Sequence, residues 1–356
     1  MRILHIITSL RRASGASTYC GGLCNALSRV GYEMTIAVRA NRLTEDRFDL
    51  DARVRVVSIE SVLAGRERYD VVHIHGVWER PIHLALKWAR RNGFPVLLSP
   101  HGSFASWALR HHAWKKRIAW WLWFRWDLGA VKVLHVTAES EAECLRKLGF
   151  RQRLVVSPFG TCLKVIADKG ACHHEHVLLT VGRIHPVKGL ANLIRAWAKL
   201  DVKERGDWRI RMVGPDQDGH RRELERLCVE LQVGDSVSLV GPRYGEDLAR
   251  EFAQCGALAL PSFTENFGGV VVDAMLNGKP CIAGTQTPWS ELVKERCGWW
   301  VDNRPDILKS ALSELIALSD SERVAMGERA RALARKAFTW DTIALTMANT
   351  YRSLHE

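Results

Sequence analysis

Short runs of Val, Ile, Leu and Ala recur along this 356-residue chain, and helical periodicity fills the gaps between them. The runs fall at 2–7, 34–38, 54–57, 70–75, 95–99, 132–136 and 154–156. They resume at 177–181, 208–213, 236–239, 257–260, 280–283 and 299–301. Apolar runs without polar alternation describe strands buried on both faces. Segments such as Gly15 to Val30 and Leu190 to Leu200 supply the crossover helices that parallel strands need. The chain is too long for one ordinary core. The two strand series, parted by a weakly patterned stretch near 158–175, therefore predict an α/β protein of two Rossmann-like domains. We place them at 1–165 and 166–338, with 339–356 as a final helix. Ligands of such sheets bind beyond the carboxyl ends of the strands.

Composition narrows the class. With 47% hydrophobic and 25% charged residues, the chain has the make-up of a soluble globular protein. No uncharged apolar run approaches the ~18–20 residues of a membrane span. Met1-Arg-Ile-Leu-His-Ile-Ile7 is too short for a signal peptide and reads as the first strand. Nine cysteines without a CxxC pair suit reduced cytosolic thiols. The lack of a Walker loop and of GxGxxG argues against a P-loop NTPase and an ordinary NAD dehydrogenase. Residues 1–160 hold 25 Lys+Arg against 13 Asp+Glu, whereas 161–356 hold 26 of each. The whole excess of +12 thus belongs to the first half, which also carries 8 of the 14 tryptophans. An anionic partner on that half is expected.

Two strand–loop–helix segments carry chemistry. Glu265-Asn-Phe-Gly-Gly-Val-Val-Val-Asp273 follows the run 257–260, and its Gly268-Gly269 pair opens a helix. A helix start suits an anion, and carboxylates eight residues apart can hold hydroxyl-rich groups. Phosphate plus polyol describes a nucleotide sugar. The plainer reading is a turn followed by a helix cap. The second segment is Leu178-Leu-Thr-Val-Gly-Arg183-Ile-His-Pro-Val-Lys188-Gly-Leu190, whose loop cations can clamp a pyrophosphate. Taken alone, the same cations are ordinary solvated side chains.

On these residues the chain resembles family 4 of the retaining glycosyltransferases, of GT-B fold. Gly182-Arg183, Lys188-Gly189, Pro261-Ser262, Glu265, Phe267-Gly268, Asp273-Ala274, Gly278-Lys-Pro280 and Pro288-Trp289 carry the resemblance, with His73-Ile-His75 and Ser99-Pro-His-Gly102 in the first half. It implies two Rossmann-like domains facing a cleft, with the last helix, from about Trp340, crossing back onto the first domain. It further implies that Arg183 and Lys188 neutralise the donor diphosphate, Glu265 contacts the donor sugar and Asp273 holds the ribose hydroxyls. Gly15, Phe267, Gly268 and Gly269 complete the expected donor-binding set. The family usually has Glu where Asp273 stands, so a shorter side chain must reach the ribose. Its paired glycines in the first strand–helix loop are here Ser14-Gly15-Ala16-Ser17, with only Gly15 kept.

Further candidates flank these motifs. His101, after a strand and before Gly102, is placed to line the cleft, and the resemblance brings it to donor sugar and acceptor. His73 and His75 share one strand face, either as a hydrogen-bonded structural pair or with His75 lining the cleft. Cys172-His-His-Glu-His176 has metal-ligand residue types, but neighbours on an extended segment diverge. Asp216-Gln-Asp218 has a chelating spacing on a loop we expect to lie away from the matched motifs. No metal or other cofactor is therefore expected. Trp107 to Trp126 reads either as a core helix with snorkelling cations or as an interfacial helix on an anionic bilayer. Nucleic acid is not expected, since its usual binding signatures are missing.

The combined expectation is a cytosolic, metal-independent retaining glycosyltransferase with a UDP- or GDP-linked donor. Its acceptor would be a lipid-linked or oligosaccharide hydroxyl in surface polysaccharide or lipopolysaccharide synthesis, met peripherally at the inner membrane face. Two alternatives remain: a nucleotide-sugar epimerase or hydrolase on the same fold, and an inactive nucleotide-sugar-binding homologue.

Overall fold

The computed structural model describes residues 1–11, 14–43, 49–104, 113–161 and 176–356, save the side chains of 113, 115 and 117. The chain divides into two compact units, Met1–Cys162 with Phe338–Glu356, and Leu163–Ala337.

The first unit holds β1 (Arg2–Ile6), β2 (Glu33–Val38), β3 (Arg55–Ser58), β4 (Val71–His75), β5 (Val96–Ser99), β6 (Val131–Val136) and β7 (Arg153–Val156). They form a parallel sheet in the order β3-β2-β1-β4-β5-β6-β7. The second unit holds β8 (Val177–Val181), β9 (Arg209–Val213), β10 (Val237–Val240), β11 (Ala257–Leu260), β12 (Cys281–Gly284) and β13 (Gly298–Val301). Their parallel order is β10-β9-β8-β11-β12-β13. Every apolar run named above is a strand, with ends displaced by no more than about two residues. The strand order reverses between β1 and β4, and between β8 and β11. At such reversals adjacent loops part and leave a crevice.

The two faces of the first sheet differ. Leu4, Ile6, Val72, Ile74, Leu98 and Leu134 pack with Ile82 and Leu86 of the helix Arg80–Arg91 in an apolar core. The opposite face carries His5, His73, His75, Ser99 and His135, all buried. Period two along each strand explains the split, since alternate side chains take opposite faces. The helices Gly15–Arg29 and Trp340–His355 supply cover. Trp340 packs where side chains at Gly22 and Gly160 would collide with its ring, so these two positions admit only glycine. The second sheet is mainly apolar on both sides, apart from Arg211 of β9, which pairs with Glu251 at 2.5 Å, and Trp197 and Trp289 are fully buried. Truncating such a tryptophan costs roughly 3–5 kcal/mol.

The described part of the Trp-rich segment is the helix Ala113–Ala119, a π-helical turn Trp120–Phe124 and the short helix Arg125–Asp127. Trp120, Trp123 and Phe124 face the core. Trp114, Ile118, Trp121, Leu122 and Trp126 are exposed, the tryptophans at 63%, 65% and 61%. The core-helix expectation thus describes one side of the element, and the other side is open to solvent. Trp107 itself lies outside the described residues. Among the described residues no helix is long and apolar enough to cross a membrane.

Candidate active site

The loop after β8 runs from Gly182 through a 3-10 turn at Pro186–Lys188 into the helix Leu190–Ala198. His185 Nδ1 accepts the Val187 N–H at 3.1 Å, which fixes the turn. Burial, reinforced by the Arg183 charge, holds His185 below the usual histidine range. Gly189 ends the turn at φ 66°, where a Cβ would strike the Pro261 carbonyl. The loop after β11 is thereby pressed against it, and the Phe263 N–H donates to the Val187 carbonyl at 2.9 Å.

This juxtaposition brings Lys188 to Glu265. The ammonium and carboxylate pair directly, at side-chain exposures of 18% and 13%. Ser262 Oγ–H donates to the same Glu265 oxygen at 2.7 Å. Arg183 is exposed, and its Nη1–H donates to Gln217 Oε1 at 2.5 Å. Gln217 lies within Asp216-Gln-Asp218, and Ile184 bridges to Asp216. Our expectation that this loop stands away from the matched motifs is therefore wrong. Strands β8 and β9 are parallel neighbours, so their following loops lie side by side. Asp216 Oδ1 accepts the Arg221 N–H at 3.0 Å and so serves the start of the next helix.

Gly268 adopts φ 79°, and a Cβ there would come within 2.7 Å of Leu260 Cδ2. Around Gly269, by contrast, no described atom lies within 4 Å of a Cβ position. The backbone thus turns tightly and then faces open space at the start of the helix Val270–Leu276. Asp273 sits half-buried in its first turn. Phe267 is buried against Trp289, with ring centroids 5.1 Å apart, and its carbonyl accepts the Trp289 Nε1–H at 2.7 Å. Its ring therefore anchors the loop from below. The open backbone at Gly269, the cations Arg183 and Lys188 and the carboxylate of Glu265 are thus carried by the loops at the β8/β11 reversal.

In the first unit, Gly15 opens the helix Gly15–Arg29 beside Phe159. His101 follows β5 in the left-handed region at φ 50°, uncommon for a residue with a side chain. The next residue is pinned by Glu141, which accepts the Gly102 N–H at 2.6 Å and the Thr137 N–H at 3.0 Å. Burial raises the Glu141 carboxyl above its usual range. His101 Nε2 contacts His75 Nδ1 at 2.9 Å, and His75 Nε2 contacts His5 Nδ1 at 2.9 Å. His5 Nε2 meets the Tyr351 hydroxyl at 3.3 Å, which meets His73 Nδ1 at 2.7 Å. His73 Nε2 and His135 Nδ1 both lie 2.6 Å from Ser99 Oγ, and His135 Nε2 lies 2.8 Å from the Ser157 carbonyl. Burial holds His5, His73 and His101 below the usual histidine range and pushes His135 down to about 3.

Sequence reading paired His73 with His75 and named Ser99 beside His101, but missed His5, His135 and Tyr351 and the row that joins them. The signal was present: each of β1, β4 and β6 carries His at an otherwise apolar position, and His5 stands opposite His73 in register. The atoms of His5, Cys20 and Cys24, and of His5, His73 and His75, are the described groups close enough to share a metal, within 4.8 Å. Cys172-His-His-Glu-His176 lies outside the described residues except His176, which contacts Asp207 Oδ1 at 2.5 Å.

Comparison with known proteins gives the class. Residues 165–333 match the family described as glycosyl transferases group 1, and residues 14–160 match the glycosyl transferase 4-like domain. The chain is built of these two glycosyltransferase-type domains. It is 30% identical over 190 residues to a D-inositol 3-phosphate glycosyltransferase of Corynebacterium kroppenstedtii, which is 52% of this chain and 42% of that protein. The chain thus spans less than half the length of this relative. Among solved structures it resembles sucrose-phosphate synthase from Thermosynechococcus elongatus, with TM-score 0.81, 21% identity and 99% of each chain covered. It also resembles Anabaena Alr3699/HepE in complex with UDP and glucose, with TM-score 0.77, 18% identity, and 99% and 100% covered. These likenesses show the fold, which is GT-B.

Proposed function

We propose that this protein is a metal-independent retaining glycosyltransferase acting on a nucleotide sugar. The observation that carries this reading is the meeting of Lys188 with Glu265 on adjoining loops at the β8/β11 reversal, beside the exposed Arg183. Breaking the bond from the sugar C1 to the diphosphate oxygen leaves negative charge on the diphosphate. Fixed cations stabilise that charge most where it develops. Arg183 supplies a planar fork and Lys188 a point charge, so no divalent ion is required. Glu265 then turns from its ammonium partner to the sugar hydroxyls, and Asp273 and the open backbone at Gly269 serve ribose and phosphate. The acceptor oxygen forms the new bond to C1 on the face the diphosphate leaves, and its proton passes to a leaving phosphate oxygen. UDP in the Anabaena neighbour supports a uridine-linked donor, with GDP the second candidate.

The acceptor reading rests on the first unit. Three exposed tryptophans with Ile118 and Leu122, beside the Arg125 guanidinium 5.1 Å from the Trp121 ring and 4.9 Å from the Trp126 ring, have the make-up of an interfacial helix. A lipid-linked acceptor on the anionic cytosolic leaflet, as in surface polysaccharide or lipopolysaccharide synthesis, fits that surface.

The test is product release with purified protein and a panel of UDP- and GDP-sugars, with and without bacterial lipid extract. Nucleoside diphosphate release that requires the extract supports transfer. Release without acceptor points to a hydrolase, and binding without release to an inactive homologue.

A further inference from the structure

The buried row that ends at His101 has a fixed direction. The Ser157 carbonyl can only accept, so His135 carries its proton on Nε2 and presents a lone pair at Nδ1. Ser99 must then donate to His135 and accept from His73 Nε2–H. With His73 Nδ1 left as acceptor, the Tyr351 hydroxyl donates to it and accepts from His5 Nε2–H. His5 Nδ1, which also has Cys20 Sγ at 3.8 Å, accepts from His75 Nε2–H, and His75 Nδ1 accepts from His101 Nε2–H. Each imidazole uses one proton and one lone pair, as a neutral ring must. The chain ends at His101 Nδ1, a buried atom without a hydrogen-bond partner among the described residues.

We propose that Tyr351 and Ser99 are positioning residues that lock His101 as the Nε2–H tautomer, leaving its Nδ1 as a hydrogen-bond acceptor. The ligand group it fits is a hydroxyl that donates. Only that last use rests on the glycosyltransferase reading; the tautomer stands without it. The depressed histidines His5, His73, His101 and His135 agree with a neutral row, and hydrogen bonds aligned in one direction polarise one another. Left-handed backbone at His101 is the strain expected where a side chain is held for a task. Through Tyr351, the C-terminal helix takes part in setting this atom.

Removing the Tyr351 hydroxyl strands His5 Nε2. Reversing His5, His75 and His101 only moves the orphaned N–H from His5 Nε2 to His101 Nδ1, so the two arrangements become comparable and His101 should become a mixture of tautomers. In Ser99→Ala the same balance runs further, through His73 and Tyr351, and frees the His101 tautomer in the same way. The experiment is long-range proton–nitrogen correlation on protein with nitrogen-15 histidine, with His101 assigned from the signal lost in His101→Ala. The wild type should show an unprotonated Nδ1 at His101. Tyr351→Phe and Ser99→Ala should each show that nitrogen protonated in a substantial fraction of molecules, although neither residue touches His101. Ser353→Ala, on the same helix, should change nothing. Where turnover is measurable, both variants should lower kcat/KM. An unchanged His101 tautomer in both variants overturns the proposal. So does a His5 Nδ1 signal that moves on treatment with EDTA, because a metal there would take the atom His75 donates to. Loss of all transferase activity in the wild type would refute the functional reading and leave the tautomer test standing.

Discussion

Lys188 and Glu265, 77 residues apart in sequence, form an ion pair that is mostly shielded from solvent. The pair joins the loop after β8 to the loop after β11 and so ties the two loops together. A charge pair of this kind costs desolvation on both sides and is weak evidence for stability alone. Its value lies in what each partner can do when a dianionic ligand arrives.

Lys188→Ala should lower kcat by about 10²–10³, the loss expected for one transition-state donor worth roughly 3–4 kcal/mol. Binding of the free nucleoside should change far less, since the ammonium acts on the departing diphosphate. Steady-state kinetics and nucleoside titration of the purified variant check both halves. An unchanged kcat would make Lys188 a structural partner of Glu265 only.

Acid should destabilise the first unit steeply. His5, His73, His101 and His135 have folded-state values held below the ordinary 6.5 by burial. The unfolded chain therefore binds more protons below that pH, and stability is full above it and lost as pH falls. Each histidine contributes a slope of about 1.4 kcal/mol per pH unit, so four approach about 5. Glu141 and Asp127, raised by burial, act in the opposite direction but are two against four. Thermal melts should show a constant Tm above about pH 7 and a sharp fall between about 6.5 and 5. A flat profile there would contradict a row of buried neutral imidazoles.

Vesicle binding should depend on the exposed stripe. Each tryptophan leaving water contributes about 2 kcal/mol, and each nearby cation about 1 kcal/mol at an anionic surface. The double variant Trp121→Ala, Trp126→Ala should therefore weaken binding to anionic vesicles at least roughly tenfold. Added salt should weaken the wild type as the Debye length shortens. Co-sedimentation decides the matter; equal pelleting of wild type and variant would remove this stripe from the membrane account.

Chelation should leave turnover intact, because organic cations occupy the role a divalent ion would fill. Activity that vanishes after exhaustive EDTA and returns with Mg²⁺ or Mn²⁺ would overturn the metal-free mechanism.

Most of the architecture was legible because parallel strands covered on both faces are rich in Val, Ile, Leu and Ala, and each of the thirteen follows such a run. The strand–loop–helix segments that carry Gly182, Arg183, Lys188 and Glu265 were legible because each follows an apolar run. Contacts set by lateral strand order were not. Sequence spacing hid that the Asp216–Asp218 loop flanks Arg183, since β9 follows β8 by a whole helix yet lies beside it. The histidine row was hidden in the same way: its members come from β1, β4, β5, β6 and the last helix, and each looks isolated in its own segment. Phe267 read as a ligand contact because its neighbours are motif residues, whereas its ring faces Trp289.

The most direct test of the central claim is a thermal-shift and calorimetric screen of UDP, GDP, ADP and their sugar conjugates against the wild type and Arg183→Ala. The account predicts that one uridine or guanosine diphosphate series binds without added metal, and that Arg183→Ala weakens the diphosphate by at least about tenfold while sparing the nucleoside. Failure of every nucleotide to bind, or equal diphosphate affinity in the variant, would contradict it.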